Sequence, residues 1–215
     1  MGKLSYGATI SLDGYVADAS GDFQWSGPGQ EVFAAHLERM TTVSTEVLGR
    51  KTYALMQYWQ TDPDDEVWTA EERAFATRWR DIDKVAVSST MTHNDLGSAR
   101  DSLVPALTLD RLREIVDEAP GVVEIFGPTT AAPAIRAGLV EEFGFFVVPK
   151  LVGGGLRALP GDVRLDLRLV GHRTFDDGIV HLRYVPSGRD LAAATIRGCA
   201  ENSCPGWLSA CSLSY

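Results

Sequence analysis

The segment from Phe143 to Val152 is apolar almost throughout and runs into Gly153-Gly154-Gly155. A strand that faces water on one side alternates apolar with polar residues, so a run without alternation belongs to a strand covered on both faces. The chain must therefore build a sheet with helices packed on either side. Other segments agree. Leu4 to Ile10 reads as a first strand ending in the turn Asp13-Gly14, and Lys84 to Ser88 and Val122 to Phe126 read as further strands. Helical faces lie between them. One is made by Val32, Phe33, His36, Leu37 and Met40, and another by Tyr53, Leu55, Met56 and Trp59 after the short strand Glu46 to Gly49. Leu109, Leu112, Ile115 and Val116 give a third, and Thr130 to Ala137 is a short Ala-rich helix. Thr69 to Arg78 is helical, with Thr69 placed as N-cap and Glu72 three residues on, the capping-box spacing.

The period then changes. Leu165, Leu167 and Leu169 alternate with Asp166 and Arg168, and Val180, Leu182 and Tyr184 alternate with His181 and Arg183. The turn Asp177-Gly178 joins the two runs as a hairpin. Strand–helix repeats closed by a hairpin predict a three-layer α/β domain with a mostly parallel sheet and an antiparallel C-terminal edge. The apolar pattern stops near Pro186-Ser187-Gly188, so residues 1–186 are expected to form the domain and 187–215 a Ser/Cys-rich tail. All three cysteines, Cys199, Cys204 and Cys211, fall in that tail, so the body has neither a disulfide framework nor a cysteine nucleophile. Thr195, Ser203, Ser209 and Ser212 interleave with them, as in precursors of thioether-bridged peptides; a plain extension is the other reading.

Composition narrows the function classes. The 215 residues are 45% hydrophobic and 23% charged, a globular balance. Acidic residues outnumber basic ones by 29 to 20, for a net charge of −9, which argues against general nucleic-acid binding. No apolar run approaches the ~20 residues of a membrane span. The opening Met1-Gly2-Lys3-Leu4-Ser5 lacks the apolar region of a secretion signal, and a cytoplasmic protein is expected.

In parallel sheets ligands bind beyond the carboxyl ends of the strands, so the loops there carry the search. The chain has no G-x-G-x-x-G after a strand, no P-loop and no G-x-S-x-G elbow. None of His36, His93, His172 and His181 is spaced to pair with another His or a Cys on a metal, so no metal site is expected. His36 reads as a helix-face residue, and His172 and His181 as outward strand positions. What remains suits an anionic, flat ligand. Gly49-Arg50-Lys51-Thr52 follows a strand and opens a helix, where backbone N–H groups attract phosphate. Ser88-Ser89-Thr90 offers three hydroxyls at the next strand end, and Gly127-Pro128-Thr129-Thr130 opens another helix. Asp13 sits in the loop after the first strand, as a catalytic acid or a turn former. Each feature has a plain structural reading; together they indicate a nucleotide-binding edge without fixing an enzyme class.

The order and spacing of these pieces resemble the dihydrofolate reductase-like superfamily. The likeness is to its stand-alone branch, similar to the C-terminal reductase domain of the riboflavin biosynthesis protein. The resemblance covers roughly residues 3–186. It rests on Ser11-Leu12-Asp13-Gly14-Tyr15-Val16-Ala17, Gly49-Arg50-Lys51-Thr52-Tyr53, Lys84 to Thr90, Ile125-Phe126-Gly127-Pro128, Gly138 to Phe143, Pro149, Gly153-Gly154-Gly155 and Thr174 to Gly178. It implies a sheet of about eight strands, NADPH as hydride donor, a homodimer and a small flat substrate, pterin- or pyrimidine-like, reduced at a C=N or C=O carbon. By the same resemblance Gly49, Arg50, Lys51 and Thr52 would hold phosphate, and Ser88, Ser89 and Thr90 would lie by the ribose phosphate. Gly127, Pro128, Thr129, Thr130 and Ala131 would cradle the diphosphate, and Ala8, Val16 and Ala17 would flank the nicotinamide. Asp13 and Glu31, or water held by them, are the expected proton donors, and Trp25, Gln30, Tyr53 and Trp59 the expected substrate contacts. Gln30 stands where dihydrofolate reductases carry a carboxylate, and Pro128 where the family usually has glycine. A nucleotide-binding protein of the same fold without turnover is the alternative.

Overall fold

The computed structural model describes residues 2–63 and 67–187. The tail from Gly188, with its cysteines, lies outside the described residues, as do Asp64-Asp65-Glu66. In chain order the elements are β1 (Lys3–Ser11), β2 (Tyr15–Ala17), α1 (Gln30–Met40), β3 (Val43–Gly49), α2 (Arg50–Met56), α3 (Ala70–Asp81), β4 (Asp83–Val87) and β5 (Ser102–Val104). There follow α4 (Leu109–Glu118), β6 (Val122–Phe126), α5 (Pro128–Arg136), β7 (Glu142–Val148), β8 (Leu156–Arg157), β9 (Leu167–Thr174) and β10 (Val180–Pro186).

Eight strands form one sheet in the order β5-β4-β3-β6-β1-β7-β10-β9. The first six are mutually parallel, and β10 pairs antiparallel with both β7 and β9. The expected three-layer α/β class with an antiparallel C-terminal edge is what forms. Period two explains the layers. Leu4 and Tyr6 of β1, Val123 and Ile125 of β6, and Phe143 and Phe145 of β7 point to one side, where Leu112 and Ile115 of α4 and Ala131, Ala134 and Ile135 of α5 cover them. Phe146 and Val148 of β7 point the other way, onto Val32 and Ala35 of α1. The strand therefore buries both faces, the physical reason for its unbroken apolar run.

Local signals place the ends. Thr69 caps α3: its hydroxyl accepts the Glu72 N–H at 3.2 Å and the Glu72 carboxylate accepts the Thr69 N–H at 2.6 Å. At the hairpin, Gly178 takes φ +82°, and the Phe175 N–H donates to the Ile179 carbonyl at 3.0 Å. Several boundaries differ from expectation; β3, for one, begins at Val43, three residues before the expected Glu46. The long apolar run ends as a strand at Val148 because Pro149 cannot continue the ladder. The first hairpin strand begins at Leu167 and continues to Thr174, past the last alternating leucine. β5 and the small β2–β8 ribbon, too short to carry a period, are additions.

Candidate active site

Strands β3 and β6 are neighbours, so the helices that follow them start side by side. Gly49 is the N-cap of α2 and Gly127 the N-cap of α5; neither helix start has a side-chain cap. Their first-turn N–H groups therefore point outward without an internal acceptor. Gly127 has φ +84°, and a Cβ there would sit 3.2 Å from Thr52 Oγ1. A Cβ on Gly49 would sit 2.5 Å from Thr130 Oγ1. Gly49, Thr52, Gly127 and Thr130 thus close on one another, and only glycine leaves the cradle open. Pro128 occupies the first helical position of α5, where its fixed φ suits the helix and its missing N–H leaves those of Thr129 and Thr130.

Beside this cradle a cavity of about 370 Å³ is lined by Arg50, Tyr53, Gln57, Thr90 and Asp95, among others. Arg50, Lys51, Ser89 and Thr90 are exposed there. Ser88 is buried, and its Oγ accepts the N–H groups of Thr90 and Met91, each at 3.1 Å, so it shapes the turn. Tyr53 corrects an expectation. It is 1% exposed, its hydroxyl donates to Asp101 Oδ2 at 2.5 Å and accepts the Gly97 N–H at 2.8 Å. Burial, then this bond, pushes the phenol up to about 12. It borders the Arg50 cavity and braces it, instead of walling a substrate.

Asp13 also takes a different part. Its carboxylate accepts the N–H groups of Val152 at 3.2 Å and Gly153 at 2.8 Å, tying the loop after β1 to the loop after β7. The Ser11 hydroxyl, followed by these backbone donors, holds its carboxyl below the usual range. Asp13 thus ties the two loops together as an acceptor engaged by two amides. The adjoining β2 carries Val16 and Ala17 and pairs with β8, where Gly155 at φ +128° lies against the Ala17 carbonyl. Gln30 and Glu31 begin α1 and are both exposed. Trp25 packs on the Val32–Phe146 cluster and donates its indole N–H to the Asp22 carbonyl at 3.0 Å. Trp59 lies 5.9 Å from Phe33 and 4.9 Å from Phe75, centroid to centroid.

A second cavity, about 740 Å³, lies between α1 and the sheet. It reaches Ala8, Thr9 and Pro28 near the cofactor edge and is walled by Phe33, Trp59, Phe126 and Phe146. Of the expected substrate contacts, Trp59 lines it; Trp25, Gln30 and Tyr53 do not. Gly7 and Gly144 keep its floor low: a Cβ on Gly7 would stand 2.9 Å from Glu124 Oε1, and one on Gly144 3.7 Å from His181 Nε2. Glu46 is 0% exposed and Glu124 2% exposed, and both line it. Arg39 of α1 pairs with Glu124. His181 does not face outward as expected: it is half-buried and stacks on Phe146, with ring centroids 4.1 Å apart. His36 lies against the same ring at 4.1 Å. Burial, aided by Arg39, lowers His36 to about 3; burial, then Arg183, lowers His181 to about 4. The sequence reading passed over Glu46 and Glu124, although a carboxylate inside a buried strand was the available signal. Among the described residues no group of three His, Cys, Asp or Glu is placed to hold a metal, and no helix is long and apolar enough to cross a membrane.

An uncharacterized protein of Bacillus subtilis, YyaP, is 24% identical over 188 residues, covering 81% of this chain and 90% of its own. The crystal structure of a putative riboflavin biosynthesis protein from Shewanella sp. PV-4 superposes with a TM-score of 0.65 at 22% identity, over 86% of this chain and 98% of that one. Dihydrofolate reductase from Enterococcus faecalis, complexed with NADP(H), superposes with a TM-score of 0.56 at 13% identity, over 86% and 96% of the two chains. The family model of the RibD C-terminal domain matches residues 3–181, and the chain belongs to that family.

Proposed function

We propose that the protein is an NADPH-dependent reductase that delivers hydride to a C=N or C=O carbon of a small flat substrate, pterin- or pyrimidine-like. The observation that carries this reading is the paired, uncapped starts of α2 and α5, interlocked through Gly49, Thr52, Gly127 and Thr130 beside the exposed Arg50. The family match and the fold shared with a dihydrofolate reductase that binds NADP(H) support it.

The residues fit the cofactor. The amides of Thr129 and Thr130 with the Thr52 hydroxyl would hold a diphosphate, and Arg50, Lys51 and Thr90 a 2′-phosphate; Asp95 of the same cavity is engaged by the Thr92 N–H and hydroxyl. When bound, the nicotinamide supplies the hydride. The chain's part is to orient and to exclude water. Asp13 fixes the two loops that border the ring's place beside Ala8, Val16 and Ala17. Phe33, Trp59 and Phe126 flank the cavity that would receive the substrate. With Asp13 engaged and Glu31 exposed, water at the cavity mouth is the proton source this reading expects. Titration with NADPH, read by tryptophan fluorescence and followed by a screen of imine and carbonyl substrates, tests it. Saturable binding with turnover is the expected result, and absence of NADPH binding would overturn it. The second reading, a nucleotide-binding protein without turnover, is favoured by the exposure of Gln30 and Glu31; binding without NADPH oxidation would select it.

A further inference from the structure

We propose that Asp95 sets the coenzyme preference, and that the cavity beside Arg50 takes NADH as well as NADPH. The inference deepens the reductase reading and rests on it for the claim that the occupant is a coenzyme. Four observations carry it. First, Arg50 and Asp95 together line the 370 Å³ cavity at the start of α2. A guanidinium suits a ribose 2′-phosphate, whereas a carboxylate accepts from a ribose 2′-hydroxyl and repels a phosphate. One cavity here holds both determinants. Among the described residues the two form no ion pair with each other, so each is open to a ligand. Second, half of the Asp95 carboxylate is unused. Its Oδ2 accepts the Thr92 N–H at 2.7 Å and the Thr92 hydroxyl at 2.9 Å, while Oδ1 has no partner among the described residues. The same Thr92 donors hold the carboxyl below its usual range, so it is charged at neutral pH.

Third, Asp95 is held in place. It ends the short 3-10 turn His93–Asp95 and grips the cap residue Thr92. Met91 and Leu96, on either side of that turn, pack on the cluster of Leu48, Tyr53 and Ala86. The Gly97 N–H then donates to the Tyr53 hydroxyl at 2.8 Å. A carboxylate on a turn anchored at both ends loses little conformational freedom when it accepts a ligand's hydrogen bond. Fourth, the charges partly cancel. Arg50 and Lys51 open α2 with two positive charges, and Asp95 sets one negative charge against them. A 2′-phosphate carries up to two negative charges at neutral pH, so this set neutralises it only in part. The advantage that NADPH draws from Arg50 is thereby trimmed, and NADH meets an acceptor that a purely basic pocket lacks.

The test uses the whole protein and two pairs of probes. One pair is NADPH and NADH; the other is 2′,5′-ADP and 5′-AMP, which carry the same difference at the ribose without a nicotinamide. Calorimetry should show the wild-type protein binding NADPH no more than about tenfold tighter than NADH, with the fragments in a similar ratio. Asp95→Asn keeps an oxygen for Thr92 and removes the charge. It should shift both ratios roughly three- to tenfold further toward the 2′-phosphorylated probe. The wild-type ratio is a readout independent of any variant's folding. A wild-type preference for NADPH of more than about tenfold, unchanged ratios in Asp95→Asn, or no binding of either fragment would overturn the proposal. Fragment discrimination that depends on Asp95, with no NADPH oxidation across imine and carbonyl substrates, would sink the reductase reading and leave the role of Asp95 standing.

Discussion

The Asp13 carboxylate accepts the Gly153 N–H at 2.8 Å, joining residues 140 positions apart across the mouth of the sheet. The loop after the first strand and the glycine-rich loop after β7 are therefore tied together. If this clamp orders the site, Asp13→Ala should raise KM for cofactor and substrate, and Asp13→Asn, which keeps one acceptor oxygen, should recover part of the loss. The acid limb of the pH–rate profile should stay in place in both variants if Asp13 acts only as a clamp. A displaced acid limb would return Asp13 to a proton-transfer role.

Arg50 provides the sharpest test of cofactor choice. It is exposed beside Thr90 in the 370 Å³ cavity. Arg50→Ala should weaken NADPH roughly tenfold or more while leaving NADH nearly unchanged, because only the former carries a 2′-phosphate for the guanidinium. Direct titration of the two coenzymes measures this, and an equal loss for both would contradict the assignment.

The cradle depends on backbone room. Gly127 at φ +84° has no cheap substitute: alanine there meets a left-handed penalty of about 1–2 kcal/mol and a Cβ 3.2 Å from Thr52 Oγ1. Gly127→Ala should lower thermal stability by that order and weaken NADPH more than the stability loss explains. Gly14→Ala, also at positive φ but with open space around its Cβ position, serves as the control for strain alone.

A buried ionic group braces the far side of the cradle. Lys84 is 0% exposed, lies 4.4 Å over the Trp79 ring and faces Asp101, which in turn accepts from Tyr53. Lys84→Met leaves Asp101 buried with its cation gone and should cost about 3–5 kcal/mol in chemical denaturation. The double variant with Asp101→Asn should recover part of it, because the second change removes the orphaned charge.

Histidine burial sets an acid limit. Unfolded His36 takes a proton near 6.5, the native residue only near 3. Its contribution is therefore complete above pH 6.5 and is lost as pH falls from there toward 3, at about 1.4 kcal/mol per pH unit at most. Glu46 works in the opposite direction, since its carboxyl is raised by burial and its protonation favours the native state as pH falls. The comparison is therefore of wild type with His36→Asn: between pH 6.5 and 4.5 the variant's melting temperature should decline less steeply. Parallel decline would show that His36 is not the group responsible.

Periodicity alone determined a large share of this protein. The two-sided apolar run of β7, the Thr69–Glu72 capping box and the Asp177-Gly178 hairpin are local patterns, and local patterns depend on neighbours a few residues away. The Gly49 and Gly127 helix starts were legible for the same reason. Which of these pieces meet was decided only in three dimensions. Asp13 became a clamp because β7 lies beside β1, and Tyr53 became a brace because Asp101, 48 residues on, folds over its hydroxyl. Glu46, Glu124 and Arg39 come from β3, β6 and α1, and no spacing along the chain announces that they share one cavity. Their proximity follows from strand order, and strand order comes from packing both faces of the sheet at once.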